Sequence, residues 1–241
     1  MSPRKTTFPK KKSEAFLNWL HHWYSELPVI SFQSLLKDYQ PDQTAIVSVD
    51  VVNGFCKEGN LSSPRVAKII APIIQLFKKA EQLGIHHYIL LQDTHQATSK
   101  EFDIYPRHCV EGTEESRTIS ELVDLPHFKE FTVIPKRTIN PGIEKGFPDW
   151  LSQHTQIRQF IVVGDCTDIC VYLLAVYLKT YSVDRDMFMN VVVPADCVDT
   201  YDIPAEVISS GGPLPHPGDL LHYLFLYHLQ LNGIHVVAEI A

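Results

Sequence analysis

The stretch Phe160-Ile161-Val162-Val163-Gly164-Asp165-Cys166-Thr167-Asp168-Ile169-Cys170-Val171 constrains this chain more than any other. Four apolar residues read as a buried strand and a glycine ends it. A short polar turn then leads into an apolar run from Cys170 to Leu178. That run is apolar almost all round, so it reads as a helix sunk in the core. Open α/β sheets are built from such strand–helix units and carry their chemistry at the C-terminal ends of the strands. Cys170 falls there, in the first helical turn, where free N–H groups and the positive end of the dipole favour thiolate. For a lone cysteine, plain core packing of a small thiol is the alternative.

The rest of the chain repeats the unit. Thr44 to Val49 is a β-branched strand ending on Asp50, an acid that is costly to bury without a partner. Ser63-Pro64 opens a helix as N-cap and first helical residue, with one apolar stripe from Val66 to Phe77 and Gly84 closing it. Ile85 to Leu91 is a second strand, running into Gln92-Asp93-Thr94-His95. Strand, helix and strand of this kind form a right-handed parallel unit. Residues 93–116 lack periodicity and read as a long loop, a length usually reserved for function or disorder. Phe131 to Ile134 is a third strand ending Pro135-Lys136-Arg137, and a short helix begins at Pro148. After the central stretch come a strand at Asn190 to Val193, a helix from about Gly218 to Gln230, and a sixth strand at Ile234 to Ile240. The expected fold is α/β, a doubly wound, Rossmann-like, mostly parallel six-stranded sheet with helices on both faces.

Residues 1–43 are set apart as a basic tail and helical extension, and residues 44–241 as the main domain. Phe16, Leu17, Trp19, Leu20 and Trp23 lie at helical spacing, broken by Pro28. Arg4, Lys5, Lys10, Lys11 and Lys12 precede no apolar core, so they read as a disordered basic tail, with a transit peptide as the alternative, and not as a secretory signal. At 241 residues the chain is long enough for one sizeable core. Its net charge of −7 argues against nucleic-acid binding, and no apolar stretch reaches the ~20 residues needed to span a bilayer. Five cysteines without framework spacing point to free thiols in a reducing compartment, and the expected location is the cytoplasm.

Three strand ends, at Asp50, Lys136 and Cys170, share one face of a parallel sheet. An acid, an ammonium and a thiol in one crevice suit acyl transfer, with the acid as proton acceptor and turn N–H groups around an oxyanion. A second group is Asp93-x-His95 with Glu101 and His108 in the same loop. Imidazole and carboxylate ligands suit zinc, manganese or iron. Any one histidine among twelve is more simply a surface or packing residue. Cys166 and Cys170, spaced C-x-x-x-C, match neither a redox motif nor half of a zinc site. Cys56, Cys109 and Cys197 are taken as structural.

Val49-Asp50-Val51-Val52-Asn53-Gly54-Phe55, Gln92-Asp93-Thr94-His95, Tyr105-Pro106-Arg107-His108-Cys109-Val110-Glu111-Gly112-Thr113, Pro135-Lys136 and Gly164 to Val171 together resemble the isochorismatase-like cysteine hydrolases. Within them the chain is most similar to nicotinamidases of the plant-like type, from about Thr44 to Ile240. The resemblance implies hydrolysis of nicotinamide to nicotinate and ammonia, with Asp50, Lys136 and Cys170 as catalytic residues. It implies a cis peptide between Asp165 and Cys166 that turns the N–H groups of Cys166 and Cys170 toward one oxyanion. It also implies one divalent metal ion, zinc first and manganese or iron as alternatives, on Asp93, His95 and His108, with Glu101 as a further carboxylate. Phe55 and Tyr105 would flank the substrate ring. Relatives are usually homo-oligomers; the implied partner is a small ring amide, with no nucleic acid and no membrane. Two departures stand out: Asn53 replaces a common acid, and Asp165 occupies a usually apolar position, where a negative charge would oppose thiolate formation.

Overall fold

A computed structural model describes residues 9–207 and 214–241. In chain order its elements are α1 Lys10–Ser25, β1 Val29–Ile30, α2 Phe32–Asp38, β2 Thr44–Val49, α3 Asn53–Cys56, α4 Pro64–Lys68, α5 Ile70–Gln82 and β3 His87–Asp93. There follow α6 Ser120–Val123, β4 Thr132–Lys136, α7 Gly146–Gln153, β5 Gln159–Asp165, α8 Cys170–Asp184 and β6 Asn190–Pro194. The last are β7 Val198–Asp199, α9 Gly218–Leu231, β8 His235–Val237 and β9 Glu239–Ile240.

The main sheet runs β4-β3-β2-β5-β6-β8, every pair parallel, and the short β7 adds to β5 beyond the end of β6. Side-chain alternation splits the apolar residues of each strand between two cores. Val47, Val49, Phe160 and Val162 pack with Leu174, Leu178 and Leu226 on one face. Ile46, Ile161 and Val163 pack with Ile73, Leu76 and Phe77 on the other. Central strands buried on both faces explain why their sequences are continuous apolar runs. Gly164 is required by the close approach of β5 to β2: at φ 113° a Cβ there would stand 2.0 Å from the Val49 carbonyl oxygen.

Several elements differ from the sequence expectation. The helix opened by Ser63 is divided at Ile69, so that Pro72 falls in the first turn of α5, where a missing N–H leaves no bond unmade. The expected strand from Ile234 to Ile240 is broken at Ala238; β8 stays in the main sheet, while β9 pairs with β1. Ala238 N–H bonds to Pro28 and Ala241 N–H to Ile30, so a local segment pattern was overridden by a partner some 200 residues away. Lys10, Lys11 and Lys12 form the first turn of α1 and not a tail; Arg4 and Lys5 lie outside the described residues. What fixes α1 is its aromatic face, since Phe16, Trp19 and Trp23 all contact the ring of Tyr227 on α9, at centroid separations of 5.6, 5.1 and 5.5 Å. Among the described residues no helix is long and apolar enough to cross a membrane.

Candidate active site

The C-terminal ends of β2, β3, β4 and β5 meet at one edge of the sheet. Register places Lys136 directly beside Asp93, and Val49, the residue before Asp50, beside Gly164. Asp50 leaves β2 with a left-handed backbone, φ 57°, a conformation that aspartate tolerates better than most residues. Its N–H bonds to the Leu91 carbonyl and its Oδ1 accepts the Asp93 N–H at 2.8 Å. The carboxylate is thereby aimed at the ammonium of Lys136, whose Nζ lies 2.8 Å from Asp50 Oδ2 and 3.6 Å from Cys170 Sγ. Lys136 also pairs with Asp93. All three members of the acid–ammonium–thiol set are buried, and Lys136 is wholly so.

Burial decides their charge states. Desolvation opposes the Lys136 charge, yet Asp50 and Asp93 outweigh it and hold the ammonium well above its ordinary pKa. Burial and the Asp93 charge push the Asp50 carboxyl up to about 6, against the pull of Lys136. Asp50 Oδ2 touches the ammonium but accepts no well-aligned hydrogen bond, which leaves it a lone pair for an incoming proton. The Cys170 thiol is pushed far up by burial and, against the pull of Lys136, by the charges of Asp50 and Asp93. Helix position suggested a thiolate; burial and the nearby Asp50 and Asp93 carboxylates instead keep the resting sulfur protonated. A nearby base is therefore needed to activate it.

The peptide between Asp165 and Cys166 is cis. The Cys166 carbonyl accepts the N–H groups of Ile169 and Val171, closing the turn that begins α8. Among the described residues, neither the Cys166 nor the Cys170 N–H donates to a backbone carbonyl outside its own element. The Asp165 side chain is fully buried. Burial and then Asp50 push its carboxyl well above the usual range, so it stands neutral and adds no charge beside the Cys170 sulfur. Its Oδ2 accepts from Cys166 Sγ at 3.6 Å.

Next to this trio, ligand atoms of Asp93, His95 and His108 lie within 4.8 Å of one another, all buried. Nε2 of His95 faces Nε2 of His108 at 3.1 Å, and each lies 3.4 Å from an Asp93 carboxylate oxygen. His108 Nδ1 must donate to the Pro106 carbonyl, 2.7 Å away, which leaves its Nε2 as a lone pair. Two ring nitrogens and a carboxylate converging at these distances need a cation or a proton between them, so the donor set fits a divalent ion. Glu101 lines the same cleft but is not one of the three that converge. Burial and Asp93 raise its pKa.

The cleft between the trio and the ligand cluster is partly open to solvent. Phe55 and Tyr105 line it, as do Ile139, Ile169 and Tyr201, which sequence reasoning did not single out. Tyr201 could have been found: it follows β7, and the strand-end rule that exposed Asp50 applies to it equally. Cys56, Cys109 and Cys197 are buried and free, packed in the second core.

A family profile described as the isochorismatase domain matches residues 44–208. The chain belongs to the isochorismatase family. Over 232 residues this isochorismatase-family chain is 30% identical to nicotinamidase 1 of Arabidopsis thaliana, covering 90% of its own length and 93% of that protein's. Its fold matches a nicotinamidase/pyrazinamidase from Bacillus subtilis at a TM-score of 0.64 with 22% identity, over 81% of this chain and 99% of that one. It also matches a pyrazinamidase of Pyrococcus horikoshii, determined in complex with zinc, at a TM-score of 0.61 with 22% identity, over 81% and 98% of the two chains.

Proposed function

We propose that this protein is a nicotinamidase, hydrolysing nicotinamide to nicotinate and ammonia through a thioester on Cys170. The observation that carries this reading is the position of one buried ammonium, Lys136, between an acid and a thiol, beside a convergent Asp-His-His cluster. The 30% identity to a plant nicotinamidase over nearly the whole chain supports the choice of amide.

In this mechanism Asp50 takes the proton from Cys170 Sγ as the sulfur attacks the carboxamide carbon. The carbonyl oxygen becomes an oxyanion, which the N–H groups of Cys166 and Cys170 stabilise; losing one such donor typically raises a barrier by about 3 kcal/mol. Asp50 then gives its proton to the amide nitrogen as the C–N bond breaks, and ammonia leaves. Water attacks the thioester with Asp50 again as base, the C–S bond breaks, and the proton returns to the sulfur. Lys136 keeps the Asp50 carboxylate oriented and offsets the negative charge that passes between acid and thiol. Asp93, His95 and His108 would hold a divalent ion, zinc or alternatively manganese or iron, which when bound supplies a Lewis-acid anchor for the pyridine nitrogen. Phe55 and Tyr105 would hold the ring between them.

Ammonia release from nicotinamide tests the proposal. Purified protein loaded with zinc should release ammonia, Cys170→Ala should reduce release to background, and a chelator should abolish it until zinc is returned. Release that survives Cys170→Ala would overturn the proposed nucleophile.

A further inference from the structure

Tyr201 is held in an unusual way for a residue after a strand end. His216, from the far side of the same connection, donates through Nδ1 to the Tyr201 carbonyl at 2.9 Å and through Nε2 to Asp168 Oδ2 at 2.8 Å. A carbonyl and a carboxylate are both acceptors, so both ring nitrogens carry protons and the imidazole is a cation. Burial opposes that charge, but Asp168 outweighs it and raises the His216 pKa. The phenol ring of Tyr201 stacks on this imidazolium at a centroid distance of 3.7 Å and an interplanar angle of 17°. Ile203 and His216 also exchange reciprocal backbone hydrogen bonds. One carboxylate, two residues before Cys170, thus fixes an aromatic ring that lines the cleft together with Cys166, Ile169 and Tyr105.

We propose that Tyr201 is a specificity-determining residue for the ring of the amide substrate, and that His216, anchored on Asp168, is its positioning residue. Resting on the nicotinamidase reading, this assigns the wall beside Cys166 to Tyr201. A ring held rigidly there limits the cleft to a single six-membered ring and excludes a fused second one. His216 does not touch substrate; it acts by keeping the phenol ring from rotating out of the wall. A cation under the ring also makes the wall stiffer than an unclamped tyrosine would be.

The test compares kcat/KM for nicotinamide with that for quinoline-3-carboxamide, which carries the same carboxamide on a fused double ring. In Tyr201→Ala the ratio should move toward the larger amide by about tenfold or more, the usual worth of apolar pocket volume, and the change should sit in KM. Tyr201→Phe retains the ring and should keep the wild-type ratio, while His216→Ala should shift it in the same direction as Tyr201→Ala. Should Tyr201→Ala fail to fold, Tyr201→Leu, which also removes the planar wall, takes its place. A ratio left within twofold of wild type by the Ala or Leu variant overturns the role of Tyr201. If His216→Ala leaves the ratio unchanged while Tyr201→Ala shifts it, the clamp is overturned. Wild-type protein that hydrolyses neither amide overturns the nicotinamidase reading itself, an outcome visible before any variant is made.

Discussion

Lys136 reaches Cys170 from the end of β4, across the ends of β3 and β2, its Nζ 3.6 Å from the sulfur, with no part of its side chain exposed to water. A wholly buried ammonium is tolerable only because Asp50 and Asp93 meet it from two other strands. Lys136→Met should therefore cost both stability and activity. Leaving two buried carboxylates without their cation is expected to lower stability by about 3–5 kcal/mol, read as a fall in the denaturant midpoint. Activity in the surviving folded fraction should drop by at least about a hundredfold, since Asp50 loses the charge that orients it. A variant with wild-type stability would show that the ion pairs contribute nothing.

The facing imidazoles of His95 and His108 give a prediction that does not depend on turnover. Added zinc should raise the melting temperature of metal-free protein, because an ion that binds only the folded chain stabilises it by mass action. The rise should be lost in His95→Ala and in His108→Ala. Differential scanning fluorimetry with and without zinc chloride measures it, and an equal rise in the variants would place the ion elsewhere.

Asp165 looked from sequence like an unwelcome charge beside the nucleophile. Held neutral by burial and by the Asp50 charge, it should be replaceable by its uncharged isostere. Asp165→Asn is expected to change kcat/KM by no more than about threefold, near the scatter for substitutions that alter no charge. A tenfold rise in rate would instead mean that the wild-type carboxyl is ionised and opposes catalysis.

His222 on α9 accepts the Thr167 hydroxyl, 2.9 Å from its Nδ1, just behind the turn that leads to Cys170. Burial, with a smaller push from Arg65, lowers its pKa to about 4 against the attraction of Asp199, Asp168 and Asp219. An unfolded chain, with an ordinary histidine pKa near 6.5, binds a proton across that interval while the folded one does not. Stability is therefore fully present above about pH 6.5 and is lost as pH falls toward 4, by on the order of 3 kcal/mol. Urea midpoints between pH 7 and 4.5 should show the decline for wild type and a shallower one for His222→Gln. Parallel slopes for the two would remove His222 as the cause.

How much of this was legible beforehand differs element by element. Asp50, Lys136 and Cys170 could be grouped from sequence because each ends an apolar run, and parallel strands put all such ends on one edge. Asp93, His95 and His108 could be grouped as metal-ligand types in one loop, but the pattern was weak by itself and the family resemblance strengthened it, since nothing periodic joins the loop that holds them. Tyr201 was open to the strand-end rule, but its link to His216 and Asp168 was not, because that association spans three segments with no shared pattern. The break at Ala238 was missed for a like reason: β9 is defined by β1, not by its own composition.

The amino-acid order alone determined the central strands and helices of the main domain and the residues at their ends, because apolar periodicity and the placement of glycine and proline act locally. Tertiary structure alone decided which of those residues are charged. The protonated Cys170, the raised Asp50, the neutral Asp165 and the cationic His216 each follow from what lies within a few ångströms after folding. Desolvation and Coulomb interaction depend on distances through space, and distance along the chain does not encode them.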